Sequence, residues 1–239
     1  TDYTVGNGGM GGLGNKSFKR GYRKRPTVRM LGETGESVEV LLELKTISDV
    51  GLVGFPNAGK SSFMTQVSTA NPKIGHYSFT TLRPHIGTVQ ANDFAMSLMT
   101  MADIPGLIEG ASQGRGLGFH FLRHIERTKV LLFVLDGAAT DMRDPSMDLK
   151  ILVDEIKQYS SELASKPGVV FINKEDLDSD AFRENEEKIR RVSPYPVMRG
   201  SAKNNTGEIQ QTIDAVHSLL KQVDPEKFPT YDYAQYLKR

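Results

Sequence analysis

Apolar and polar positions alternate in blocks from residue 48 to about 223. DVGLVGF (49–55) is a buried-strand run that leads through a glycine turn into helical KSSFMTQVS. IGTVQA (86–91) and FAMSLMTMAD (94–103) read as two strands around a turn at Asn92 and Asp93. One face of the second would carry Phe94, Met96, Leu98 and Thr100, the other Ala95, Ser97, Met99 and Met101. Neither face is cleanly polar, so the pattern leaves open which one is exposed. KVLLFVLD (129–136), GVVFINK (168–174) and YPVMRGSA (195–202) add three strands, each ending in polar or small residues. Helical periodicity falls between them in GFHFLRHIER, MDLKILVDEIKQYSSELAS, FRENEEKIRRV and GEIQQTIDAVHSLLK. This alternation predicts an α/β fold with a mostly parallel sheet covered by helices on both faces. Ligands of such sheets sit beyond the carboxyl ends of the strands.

The flanking regions have a different texture. Residues 1–47 open with six glycines between Gly6 and Gly14, without helical or strand period. By composition alone they read as a flexible linker. Seven Lys/Arg and no acid follow between Asn15 and Arg29, interleaved with Phe18 and Tyr22. Such a stretch suits a solvated face, or RNA phosphates with base stacking. VEVLLELK (38–45) reads as a short strand. Residues 224–239 hold two prolines and three tyrosines and read as an extended tail. The start, glycine-rich and without methionine, reads as that of a processed form or fragment.

Composition excludes more than it assigns. The net charge of +1 points to no partner, and the 38% hydrophobic content is ordinary. Cysteine is absent, so disulfides, thiolate metal sites and a cysteine nucleophile are excluded. No apolar run approaches the ~20 residues of a membrane span. The five histidines form no metal spacing. His120 and His124 lie four apart on one predicted helix, but no third ligand is evident.

The chemistry sits at the predicted strand ends. GFPNAGKS comprises Gly54, Phe55, Pro56, Asn57, Ala58, Gly59, Lys60 and Ser61, between a strand and a helix. That is the P-loop pattern in its required context. Its amides and the helix N-terminus cradle phosphates. Lys60 would reach the β- and γ-phosphates, and Ser61 would offer a hydroxyl to Mg²⁺. NKED (Asn173, Lys174, Glu175, Asp176) ends a later strand. The Asp176 carboxylate can accept from N1–H and the N2 amine of guanine, whereas adenine would meet it with a lone pair. Asn173 would brace the loop, and Lys174 would lay its stem over the base. Ser201, Ala202 and Lys203 would close the base pocket with backbone amides. Asp103 ends its strand and could hold Mg²⁺ through water. Gly106, after Ile104 and Pro105, could donate to the γ-phosphate. A threonine of HYSFTTLRPH would join Mg²⁺ only with triphosphate bound. The residues alone do not choose between Thr80 and Thr81.

These motifs together resemble the Obg family of GTPases, ribosome-assembly factors with a P-loop G domain. The resemblance rests on DVGLVGFPNAGKSS, YSFTTLRPHIG, ADIPGLIEGAS, GRGLGFHFLRHIERTKVLLFVLD, INKEDL and SAKNNTGEI, in family order. It implies three regions: a partial, glycine-rich Obg domain over 1–47, a G domain over 48–223 and a tail over 224–239. It implies that the glycines form packed polyproline-type helices that reach into the large ribosomal subunit. It adds Phe79, Thr80, Thr81, Leu82 and Arg83 to the nucleotide contacts, with Ser61, Thr81 and Asp103 around Mg²⁺. It implies GTP or GDP as ligand, and the large subunit or its precursor, its rRNA and other assembly factors as partners. The bacterial-type C-terminal extension is missing, as in some organellar members. The expected location is therefore the mitochondrial matrix, with bacterial cytoplasm or chloroplast as alternatives.

One departure bears on catalysis. Many GTPases place a glutamine after the switch glycine to orient water, but here that residue is Leu107. Slow intrinsic hydrolysis is expected. Glu109 is the nearest acid that could orient water. Related potassium-dependent GTPases hold K⁺ with an asparagine at the position of Asn57, so the expected catalytic set is Lys60, Asn57, Thr81 and Gly106. The alternative is a nucleotide-gated binding module or alarmone sensor with little turnover.

Overall fold

The computed structural model describes residues 3–22, 27–40, 48–69, 73–74, 85–93, 96–103, 125–177 and 180–229. The chain divides into two compact units, Thr1–Leu44 and Lys45–Arg239.

The first unit is held by backbone bonds between two glycine-bearing segments. The amides of Met30, Glu33 and Glu36 donate to the carbonyls of Leu13 (2.9 Å), Met10 (2.8 Å) and Asn7 (2.9 Å). Partners step by three on both sides, the repeat of a polyproline II helix. A Cβ on Gly9 would lie 2.0 Å from Glu33 O, and one on Gly12 2.1 Å from Met30 O. These glycines let two backbones touch, so the flexible-linker reading fails for them. Of the strand expected over 38–45, Val38–Val40 join no strand and the rest lies outside the described residues.

The second unit is built on an eight-stranded sheet of order β2-β3-β4-β1-β5-β6-β7-β8. The strands are β1 Val50–Val53, β2 Lys73–Ile74, β3 His85–Gln90, β4 Leu98–Asp103, β5 Val130–Asp136, β6 Gly168–Asn173, β7 Val197–Ser201 and β8 Thr206–Gly207. Strands β4, β1, β5, β6 and β7 run parallel. The pairings of β2 with β3, β3 with β4 and β7 with β8 are antiparallel. The described helices are α1 Lys60–Val67, α2 Pro145–Tyr159, α3 Ser161–Ala164, α4 Asp180–Val192 and α5 Ile209–Val223.

The side-chain period of two divides β5 between two cores. Leu131, Phe133 and Leu135 pack with Leu149, Leu152 and Ile156 of α2, Leu163 of α3, and Phe182 and Ile189 of α4. Val130, Leu132 and Val134 pack with Phe63 and Met64 of α1, and Ile209, Ile213, Val216 and Leu220 of α5. Helices thus cover both faces, as the alternation implies.

Three details differ from the sequence reading. Strand β4 starts at Leu98, not Phe94, because Asp93 shapes the turn before it. The Asp93 carboxylate accepts from the Ser97 amide (2.8 Å) and hydroxyl (2.7 Å), and Met96 takes a left-handed φ of +49°. Met99 and Met101 then face inward, and Leu98 is exposed. The long helix of MDLKILVDEIKQYSSELAS breaks at Ser160, which is extended. Its hydroxyl accepts the Leu163 amide (3.3 Å) and restarts the chain as α3, since serine favours caps over helix interiors.

The third difference is the tail, whose first residues are docked rather than free. Phe228 is buried in the α1/α5 core and meets the His217 ring edge-on, with centroids 5.7 Å apart. Lys227 pairs with Asp49 (2.7 Å). Lys129 pairs with both Asp49 (3.2 Å) and Asp224 (2.5 Å). The tyrosines lie beyond the described residues. Burial alone would raise the Asp49 pKa. The Lys227 ammonium and the bonds from Thr100 overcome it and hold the carboxyl below its ordinary 3.8. Burial pushes His217 below its ordinary 6.5.

Both shifts are downward, so the stability they confer is present above the unfolded-state pKa and is lost as pH falls. The thermal midpoint should therefore fall in two stages on acidification. One loss begins below 6.5 for His217, and a second below 3.8 for Asp49. In Lys227→Met the stage below 3.8 should shrink, because Asp49 loses a cation and its folded-state pKa rises toward the unfolded value. Calorimetry across pH reads both, and a profile unchanged by the substitution would mean that Lys227 does not hold Asp49.

Candidate nucleotide site

The parallel strands deliver their polar ends to one edge of the sheet. Gly54 follows β1, Asp103 ends β4, Asp136 ends β5, Asn173 ends β6 and Ser201 ends β7. This carboxyl edge is where open α/β sheets bind ligands.

The P-loop turns from β1 into α1. Gly59, at φ +94°, precedes the first helical residue, and Asn57 is also left-handed at +62°. A Cβ on Gly54 would lie 2.4 Å from Val134 O, so the loop starts pressed against β5. Lys60 is buried and donates from Nζ to the carbonyls of Gly54 and Phe55, both at 3.0 Å. Burial lowers its pKa, and the charge of Asp103 opposes that. The Ser61 hydroxyl donates to Asp103 Oδ2. Two hard oxygens, one from α1 and one from β4, thus stand side by side. Mg²⁺ takes few protein oxygens plus water and phosphate, so this pair fits it. Among the described residues, no group of three His, Asp or Glu could hold a metal alone.

Asn173 joins the two ends of the site. Its Nδ2 donates to Ala58 O of the P-loop (2.9 Å), and its Oδ1 accepts the Ala202 amide (2.9 Å). The Ala202 amide therefore braces the loop from within and is not offered to the pocket. The Asp176 carboxylate accepts from Ser201 Oγ (2.6 Å). An open cleft of about 330 Å³ lies between these parts, within the range of small-molecule sites. Asn57, Gly59, Asn173, Lys174, Asp176 and Lys203 line it, together with Ser62, Thr140 and Leu177.

The Glu175 side chain does not line the cleft. It pairs with Arg199 (3.3 Å), because successive residues of the NKED turn face different ways. Phe55, Pro56 and Ala58 line a smaller hollow with Val134, Asp136 and Arg143. Phe79, Thr80, Thr81, Leu82, Arg83, Ile104, Pro105 and Gly106 lie outside the described residues, as do Leu107, Glu109, His120 and His124.

Three residues at the site escaped the sequence reading: Asp136, Thr140 and Asp141. Asp136 Oδ2 accepts from Lys174 Nζ (2.9 Å), and Thr140 Oγ1 also accepts from it (2.7 Å). Asn57 Nδ2 donates to Asp141 Oδ2 (3.4 Å). The available signal was an acid at the end of a fully apolar strand. DGAATD carries no motif beyond that.

The 50S ribosome-binding GTPase family model matches residues 49–174, half of the chain. The chain is 46% identical over 238 residues to the GTPase Obg of Herpetosiphon aurantiacus, covering 97% of this chain and 53% of that one. It is 49% identical over 226 residues to the GTPase Obg of Symbiobacterium thermophilum, with coverages of 93% and 52%. It spans about half the length of these curated relatives. Among solved structures, an S. thermophilus NFeoB mutant bound to GDP shares the fold at TM-score 0.55 and 22% identity, covering 80% of this chain and 69% of that one. The G domain of the T. maritima FeoB iron transporter does so at 0.52 and 17%, covering 70% and 96%. The P-loop, the strand-end carboxylates and the family match agree, and the chain, similar to proteins named GTPase Obg, belongs to the 50S ribosome-binding GTPase family.

Proposed function

We propose that this protein binds and hydrolyses GTP as a switch in large-subunit assembly. The observation that carries the reading is the single cleft shared by the P-loop and Asp176, braced by Asn173. The P-loop amides would hold the phosphates, and Lys60 would leave its two carbonyls to meet them. Asp176 would read the guanine edge, and Lys174 would flank the base.

Ser61 and Asp103 would hold Mg²⁺, with Thr81 joining in the triphosphate state. When bound, this ion neutralises phosphate charge. With Leu107 in the glutamine position, this chain has no side-chain amide there to orient water, so intrinsic turnover is slow. K⁺ beside Asn57 belongs to the same proposal, and equal phosphate release in KCl and NaCl would remove it.

The large subunit enters through the family's description and the Obg names of the relatives. The basic stretch between Asn15 and Arg29 supports contact with rRNA. The relatives named above are bacterial, which favours a bacterial cytoplasm over the mitochondrial matrix. Sedimentation with purified large subunits and their precursors tests the partner. The expected result is co-sedimentation with a non-hydrolysable GTP analogue and release with GDP. Equal binding in both states would contradict a switch.

A further inference from the structure

The loop after β5 is tied to both ends of the cleft. Asp136 Oδ1 accepts from the Ala138 amide (3.1 Å). Its Oδ2 accepts from the Thr140 amide (3.0 Å), the Thr140 hydroxyl and Lys174 Nζ (2.9 Å). Lys174 Nζ also donates to Thr140 Oγ1 (2.7 Å), which closes a triangle of Asp136, Thr140 and Lys174. Two of the three, Thr140 and Lys174, line the cleft.

The backbone here is strained. Ala139 sits at φ +52°, Met142 at +58° and Lys174 at +70°, none of them glycine. Such conformations persist only where the surroundings over-determine them. The Asp136 bonds supply part of that constraint. Gly137 supplies more: a Cβ there would lie 2.3 Å from Phe182 and 2.5 Å from Ile172. Its amide donates to Asn173 O (3.0 Å), and its carbonyl accepts from Asn185 Nδ2 (3.0 Å). The ends of β5 and β6 are thereby locked together.

A free lysine side chain explores many rotamers and must be frozen when a ligand packs on it. Here the freezing is done in advance. The Asp136 charge fixes the ammonium at the loop, so the stem lies along the cleft wall before any ligand arrives. The Thr140 hydroxyl is fixed by the same carboxylate.

We propose that Asp136 is a positioning residue of the nucleotide site, acting through Lys174 and Thr140 to preset the wall against which the nucleoside packs. This rests on the guanine-nucleotide reading above. It adds a residue outside the P-loop, switch and NKED motifs, and gives the DGAAT loop a role in affinity.

The test uses the full chain and two ligands, a fluorescent GDP and pyrophosphate as its competitor. The variants are Asp136→Asn, Lys174→Ala and the pair. Asp136→Asn keeps the shape and an acceptor but loses the charge on Lys174. It should weaken GDP roughly tenfold, the scale of one charge-assisted bond, and leave pyrophosphate within about twofold. The double variant should bind GDP no more weakly than Lys174→Ala, since both remove one arrangement. Wild-type GDP affinity in Asp136→Asn would overturn the proposal. So would effects that multiply, or an equal loss for both ligands, which marks a merely structural role. Wild-type protein that binds pyrophosphate but not GDP would instead remove the guanine reading, and this proposal with it.

Discussion

Replacing Asp176 with asparagine should weaken GTP on the order of a hundredfold or more and shift preference toward xanthosine triphosphate. Asp176 lines the cleft, and one of its oxygens is held by Ser201 Oγ (2.6 Å). A carboxylate so fixed accepts from two adjacent donors, and guanine presents two, N1–H and the N2 amine. Asparagine offers one acceptor and one donor group. Its amide would face the N2 amine donor to donor, and a buried mismatch of that kind is costly. Xanthine carries a carbonyl where guanine has the amine, and the new amide can donate to it. Competition of GTP, xanthosine triphosphate and ATP against a fluorescent nucleotide reads the change directly. Unaltered GTP affinity in Asp176→Asn would mean that this carboxylate does not read the base.

Gly59→Ala should disable the site from the other end and destabilise the fold by about 3 kcal/mol or more. Two independent costs combine. The φ of +94° is unfavourable for any residue with a Cβ. That Cβ would also lie 2.1 Å from Asn173 Nδ2. Asn173 would have to swing aside and give up Ala58 O and the Ala202 amide, leaving buried groups unpaired. The P-loop, the NKED turn and the Ser201–Lys203 loop would loosen together, so phosphate and base affinity should fall in parallel. Gly8→Ala is the control, since nothing lies within 4 Å of its added Cβ. Urea denaturation with nucleotide titration of both variants decides the matter. A Gly59→Ala protein as stable and as tight-binding as Gly8→Ala would contradict the bracing role of Asn173.

What the chain reveals before folding depends on how local the physics is. The strands of the central sheet were legible because β5 and β6 are buried on both faces and read as unbroken apolar runs. The P-loop was legible because its glycines, lysine and serine are contiguous and their geometry follows from the string. Asp136 was not, because its meaning comes from Lys174, which arrives 38 residues later. Phe228 was not, because one aromatic in a proline-bearing segment has no periodicity, and the core it joins, with His217 of α5 edge-on to its ring, is assembled from other elements. Gly9 and Gly12 looked like linker glycines because their constraint is a close approach of another segment, not a positive φ. The two-residue strands β2 and β8 are edge pairings too short to leave a pattern.

The same distinction orders the candidate site. The phosphate and base ends are each written in a short motif. The bridge between them, Asn173 with Ala58 and Ala202, spans 115 residues in one direction and 29 in the other. That Asn173 braces a loop is legible in the motif; that it consumes the Ala202 amide in doing so is not.

A cleft that turns over a guanine nucleotide must separate GTP from ATP in catalysis. Multiple-turnover phosphate release by the wild-type chain, with GTP or ATP as sole nucleotide in Mg²⁺ and KCl, tests it most directly. Slow, saturable release from GTP with none above background from ATP is the result expected. Equal release from ATP, or no release from GTP, would contradict it.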